Sequence, residues 1–176
     1  MDRYQGRYRI PSARHPRWDY AAPGWYFVTW CTQGRVPWLG TVERGSLRLS
    51  AAGRIVADEW RRTPVVRPRV TVEAWAVMPD HVHALIGLDV EGPPPDVAPV
   101  GLVGPPPDVR WRSGSVGAIV GQIKSVSTKR IRRAGMPDFA WQPRFHDRIV
   151  RSRRAFVNIR RYIIANPSRW VARRRP

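Results

Sequence analysis

The chain has 176 residues, 43% of them hydrophobic and nine of them Trp, which suits one domain with a sizeable core. Its charge is the outlier: 31 Lys and Arg stand against 13 Asp and Glu, a net charge of +18, and all the basic residues but Lys124 and Lys129 are Arg. That balance calls for a polyanionic partner, nucleic acid ahead of an acidic membrane surface, while the single cysteine, Cys31, excludes an internal disulfide and any multi-cysteine zinc site. No stretch reads as a membrane span or a signal peptide, so the expected location is cytoplasmic, with no membrane partner.

Taken in order, residues 1–22 are Arg-rich and Pro-interrupted without a period, and read as a basic arm. The domain, 23–170, opens with Trp25-Tyr-Phe-Val-Thr-Trp-Cys-Thr32, a β-branched and aromatic run that suits a strand buried on both faces. Ser46-Leu-Arg-Leu49 follows as a short edge strand. Ser50 is placed to cap a helix through Arg62, with Ala52, Ile55, Val56 and Trp60 at helical spacing and Pro64 to end it. Strands over 70–77 and 81–88 are joined by Met78-Pro-Asp80, short enough for a hairpin.

Residues 89–111 then repeat Gly-Pro-Pro-Pro-Asp-Val, a low-complexity insertion whose two copies cannot stack into a core. A second helix spans 115–134, with Val116, Ile119, Val120, Ile123, Val126 and Ile131 on one face and Lys124, Lys129, Arg130 and Arg133 on another. Residues 141–151 read as a strand, Ser152 as the cap of a third helix ending at Asn166 before Pro167, and 171–176 as a basic tail. The succession predicts an α+β fold: a ferredoxin-like antiparallel sheet with helices packed on it.

Two stretches carry candidate chemistry. In a strand, His81 and His83 share one face while Val82, Ala84 and Ile86 take the other. On the last helix Asn158, Tyr162 and Asn166 fall at i, i+4 and i+8 beside the apolar Phe156, Ile159 and Ile163. A satisfied core histidine and an amphipathic tyrosine are the ordinary fates of such residues. Together with the charge, however, they describe phosphodiester cleavage, which needs an in-line nucleophile and a cation on the phosphate. Tyr162 is the candidate nucleophile, its phenol ordinarily ionising near pH 10. His81, His83 and the Asn166 side-chain oxygen are the candidate ligands of a divalent ion, Mg²⁺ or Mn²⁺. Lys124, Lys129, Arg130, Arg133, Gln142 and Arg144 are candidate DNA contacts, and Trp18, Tyr20, Trp111 and Trp170 candidate stacking platforms. His146 and Asp147 alternate across their strand, so they form no dyad, and His146 reads as surface or DNA-facing; Asp80 reads as a turn residue.

Met78-Pro-Asp-His-Val-His-Ala-Leu-Ile86 resembles the HUH motif (His, bulky hydrophobic, His) of single-tyrosine transposases, and Tyr162-Ile-Ile-Ala-Asn-Pro-Ser-Arg-Trp170 resembles their tyrosine helix. Trp141-Gln-Pro-Arg-Phe-His-Asp-Arg-Ile-Val-Arg151 and the block from Asp19 to Thr32 are similar to segments of the REP-associated tyrosine transposases. The resemblance implies an HUH endonuclease fold and an enzyme that cuts and rejoins single-stranded DNA, often at hairpins of short palindromic repeats, acting as a monomer or homodimer. By it, Tyr162 makes a 5′-phosphotyrosine and frees a 3′-hydroxyl, and His81 and His83 hold the metal. Relatives often draw the third ligand from a Gln on the tyrosine helix; here Asn166 stands in its place. A replication initiator or relaxase, and a domesticated non-catalytic DNA-binding protein, are the competing readings.

Overall fold

A computed structural model describes residues 3–4, 8–9, 18–43, 46–94 and 114–172. Its strands are β1 (Arg3–Tyr4), β2 (Tyr8–Arg9), β3 (Gly24–Cys31), β4 (Gly40–Glu43), β5 (Ser46–Leu49), β6 (Val70–Val77), β7 (His81–Leu88) and β8 (His146–Val150). Its helices are α1 (Ala51–Val66), α2 (Val116–Arg133), α3 (Arg153–Ile164) and α4 (Asn166–Ala172), with a 3-10 turn at Gln33–Arg35. The main sheet is antiparallel throughout, in the order β6-β7-β3-β8. Read along the chain, β3, α1, β6, β7, α2 and β8 give the β-α-β-β-α-β succession of a ferredoxin-like domain, as the sequence predicts.

Register assigns the two faces of this sheet. Val82, Ala84 and Ile86 of β7 pair with Trp30, Val28 and Tyr26 of β3, and these six meet Trp60 of α1 and Ile119 and Val120 of α2 in one core. The alternate residues, Trp25 and Leu85, join Ala74 and Ala76 of β6 against Phe156, Ile159 and Ile163 of α3 in a second core. Helices thus cover both faces, and β7 is buried along its whole length.

Serine side chains start the three long helices. Ser50, Ser115 and Ser152 accept from the backbone N–H groups of Gly53, Ala118 and Ala155, each satisfying an otherwise orphaned donor, worth about 1 kcal/mol apiece. Gly53 is required for a second reason: a Cβ there would lie 2.0 Å from the Leu39 carbonyl, so only glycine lets α1 approach this loop.

The chain departs from its sequence-based reading in several places. α1 continues past Pro64 to Val66, because the ring removes one N–H in the last turn while the Arg67 N–H still closes on the Thr63 carbonyl. The strand expected over 141–151 is confined to His146–Val150; Trp141 keeps only an isolated bridge to Thr32, and Arg144, at φ 66°, breaks the extended run. α3 stops at Ile164, and α4 begins at Asn166 with Pro167 in its first turn, where a missing N–H is harmless. Trp18 and Tyr20, read as part of the arm, pack against the first core, and Trp18 Nε1 donates to the Tyr26 hydroxyl at 3.1 Å. Most of the expected arm, residues 95–111 of the insertion, and the tail beyond Ala172 lie outside the described residues.

Candidate active site

The turn before β7 is braced on three sides. Met78 N–H donates to the His81 carbonyl, the Pro79 carbonyl accepts from Leu39 N–H, and the Asp80 carbonyl accepts from both the backbone N–H and the hydroxyl of Thr32. With its backbone fixed, Asp80 turns a side chain only 5% exposed inward, and its carboxylate meets His81 Nδ1 at 2.5 Å. The alternation rule that made Asp80 a mere turn residue does not apply before the strand starts; it is the partner of His81. Arg35, whose side chain is 58% exposed, reaches the other carboxylate oxygen at 3.7 Å.

His81 and His83 are both buried on the α3 face, and their Nε2 atoms face each other at 3.1 Å. The other nitrogen of His83, Nδ1, meets the Thr29 hydroxyl at 2.7 Å. Burial pushes both imidazoles toward the neutral form: His81 is lowered by desolvation, partly offset by Asp80, and His83 is held down to about 3 by desolvation and then by the nearby His81 and Arg35. Asp80 accepts a hydrogen bond from His81 Nδ1–H, so in the neutral ring His81 Nε2 carries the lone pair. Thr29 can donate or accept, which lets His83 present either a proton or a lone pair at Nε2. The pair therefore closes around a shared proton or around a cation.

The residues fit a cation. Two nitrogens at right angles and about 2.0–2.2 Å from one ion lie about 2.8–3.1 Å apart, which brackets the observed separation of 3.1 Å. Each imidazole also has its outer nitrogen fixed by a carboxylate or hydroxyl, the usual support of a metal-binding histidine. Among the described residues no group of three His, Cys, Asp or Glu side chains is arranged to hold a metal ion. Asn166 is the amide the sequence singles out. It is buried at the start of α4, its Nδ2 has no hydrogen-bond partner, and rotating the amide presents oxygen in that place. In the chain it stands midway between Tyr162, which contacts His83, and Trp170, whose ring lies 5.4 Å from that of His81.

Tyr162 is half-buried on α3, and its hydroxyl lies 3.3 Å from His83 Nε2. Phe27 of β3 holds this corner: it stacks on His83, with ring centroids 5.5 Å apart, and meets Tyr162 edge-on at 6.1 Å. Arg160, two residues before Tyr162, pairs with Glu73 of β6 at 2.7 Å and pins α3 over the sheet.

The structure thus brings together His81, His83 and Tyr162, with Asn166 buried at the start of the following helix, α4. The candidate DNA contacts on α2 lie on the opposite layer, packed with α1. Lys124 is turned inward, its ammonium donating to the carbonyls of Gln142 and Arg144 at 2.6 and 2.9 Å, and burial lowers its pKa. Arg130 is paired with Glu59 and Asp58, whereas Lys129 and Arg133 are exposed. Gln142 and Arg144 belong to the loop entering β8. His146, the first residue of β8, is exposed and pairs with Thr29, which itself pairs with His83, so the three stand in a row across the sheet. Trp111 lies outside the described residues.

No family model matches the chain. An uncharacterized protein of Haemophilus influenzae is 25% identical over 159 residues, covering 90% of this chain and 88% of its own. Among solved structures, a REP-associated tyrosine transposase bound to a REP hairpin aligns with a TM-score of 0.55 and 21% identity over 84% of this chain and 68% of that one. A candidate transposase from Deinococcus radiodurans R1 aligns with a TM-score of 0.47 and 21% identity over 83% of this chain and 92% of that one. The chain therefore shares its fold with a REP-associated tyrosine transposase, the family its sequence blocks resemble. No helix among the described residues is long and apolar enough to cross a membrane.

Proposed function

We propose that the chain is a metal-dependent single-stranded DNA endonuclease and strand transferase, a tyrosine transposase that works through a 5′-phosphotyrosine at Tyr162. The observation that carries this reading is the Tyr162 hydroxyl 3.3 Å from His83 Nε2, which in turn faces His81 Nε2 at 3.1 Å. The shared fold with a protein solved on a REP hairpin supports hairpin or palindromic repeat DNA as the substrate, and the net charge of +18 supports a polyanion of some kind.

In this mechanism Tyr162 gives up its phenol proton to solvent and its oxygen bonds to phosphorus as the bond to the 3′ oxygen breaks in line, and that oxygen takes up a proton from solvent to become a free 3′-hydroxyl. Exchanging one phosphodiester for another conserves the bond, so the same hydroxyl, or that of a second strand, attacks the phosphotyrosine in reverse. His81, His83 and the Asn166 amide oxygen would hold Mg²⁺ or Mn²⁺, and its charge would polarise the phosphate and favour the phenolate. Asp80 and Thr29 keep the two imidazoles oriented, and Phe27 keeps the Tyr162 ring against them.

The test is a covalent-adduct assay with purified protein, labelled hairpin DNA from the flanks of its own gene, and Mg²⁺ or Mn²⁺, run on a denaturing gel. A slow-migrating labelled band is expected from the wild type and from neither Tyr162→Phe nor a chelated reaction. A band of equal intensity from Tyr162→Phe contradicts the assignment. Tight, salt-sensitive binding without a band under any divalent ion would instead assign a non-catalytic DNA-binding protein.

A further inference from the structure

Beside the His pair, on the other flank of Tyr162, lies a cavity of about 380 Å³ between β3, β8 and α3. Its walls include Phe27 and Ile159, with Thr29, His146, Arg148 and Asn158 as polar groups. Resting on the function proposed above, we infer that this cavity holds the unpaired base of the nucleotide immediately 3′ of the cut.

Three observations converge on that occupant. The volume falls near the lower end of the ~300–1,000 Å³ range of small-ligand pockets, room for one heterocycle and not for duplex. Phe27 is half-buried and already stacked on His83, so it offers an aromatic surface held rigid from behind. His146, Arg148 and Asn158 are exposed, and the Asn158 amide sets a donor beside an acceptor, the pattern that pairs with the edge of a base. The polarity follows from the chemistry. In-line displacement puts the departing 3′ oxygen on the far side of phosphorus from the Tyr162 oxygen. Tyr162 is itself one wall of the cavity, so the cavity adjoins the residue that becomes linked to DNA, and the departing 3′ end leaves away from that residue. The nucleotide that keeps the phosphate, and becomes linked to Tyr162, is the one 3′ of the cut.

The proposal predicts that the protein, and not only the folding of the DNA, senses that base. Hairpin oligonucleotides copied from the DNA bordering the gene, carrying 2-aminopurine at successive single-stranded positions, are titrated with wild type, Asn158→Ala and Asn158→Phe in chelated buffer, where cleavage plays no part. Asn158 is exposed on α3, so both variants keep the fold. One position is expected to change fluorescence with the wild type, and the bulky Asn158→Phe is expected to abolish that change. An abasic unit at the same position should weaken wild-type binding about tenfold or more and leave Asn158→Phe indifferent. No position whose response depends on Asn158 overturns the proposal, as does a responding nucleotide that adduct mapping in Mg²⁺ places 5′ of the cut. Base binding without any adduct would sink the strand-transfer reading alone.

Discussion

The two faces of the central sheet are built from alternate residues of the same strands, yet they serve opposite ends. On the α1/α2 face Val82, Ala84 and Ile86 meet Trp30 and Trp60 in a core that holds no histidine. On the α3 face the intervening His81 and His83 face each other, and His83 meets Tyr162 beside a cavity. The comparison extends to two tyrosines. Tyr26, on the closed face, accepts from Trp18 and donates to the Ala22 carbonyl, and burial holds its phenol up to about 12. Tyr162, on the open face, has its hydroxyl at an imidazole. A phenol whose hydroxyl is engaged on both sides in the core is structural; one that is half-buried beside two imidazoles is the one the proposed attack requires.

The strongest way to break the comparison is to strip the open face of its imidazoles. His81→Ala combined with His83→Ala is expected to lower adduct formation by about a thousandfold or more, since groups acting as a unit fail together, while DNA binding by filter retention stays within a few-fold. Cutting into the closed face should do the reverse: Trp60→Ala, at a fully buried site, is expected to cost about 3–5 kcal/mol in urea unfolding, with activity falling only as far as folding does.

Smaller changes sharpen the division. Asp80→Asn leaves the fold but removes the carboxylate that orients His81, and should weaken the Mn²⁺ dependence of cleavage by about 10–100-fold. The pH dependence of stability reports the buried histidine. His83 is lowered from 6.5 to about 3 by desolvation and then by His81 and Arg35, so the unfolded chain binds a proton that the folded chain refuses between those values. Its contribution is full above pH 6.5 and drains as pH falls toward 3. Between pH 7 and 4.5 the wild type should lose on the order of 2 kcal/mol more than His83→Gln, in which the carboxylates titrate alike.

Most of the open face was legible because its signals are local. Period-two alternation alone put His81 and His83 together, whereas the period-four line from Tyr162 to Asn166 is interrupted, since α3 ends at Ile164 and Asn166 opens α4. What escaped depends on partners distant in sequence. Thr29 and His146 join His83 only through the β7-β3-β8 register. Asp80 faces inward because Thr32 and Leu39 anchor its turn. Lys124 looked like part of a basic DNA-facing stripe, but its ammonium closes the loop at Gln142 and Arg144. Charge on a helix says which side chains are cations, not which carbonyls lie within reach. The prolines misled in the same way: Pro64 and Pro167 each forbid one hydrogen bond, and the chain places each where that bond matters least.

The most direct test of the division is to find where the DNA becomes attached. Wild-type protein reacted with its hairpin substrate and Mn²⁺, then digested with protease and nuclease, should yield one nucleotidylated peptide by mass spectrometry, with the phosphate on Tyr162. Modification at Tyr26, or at any residue away from the His81–His83 pair, would contradict the account.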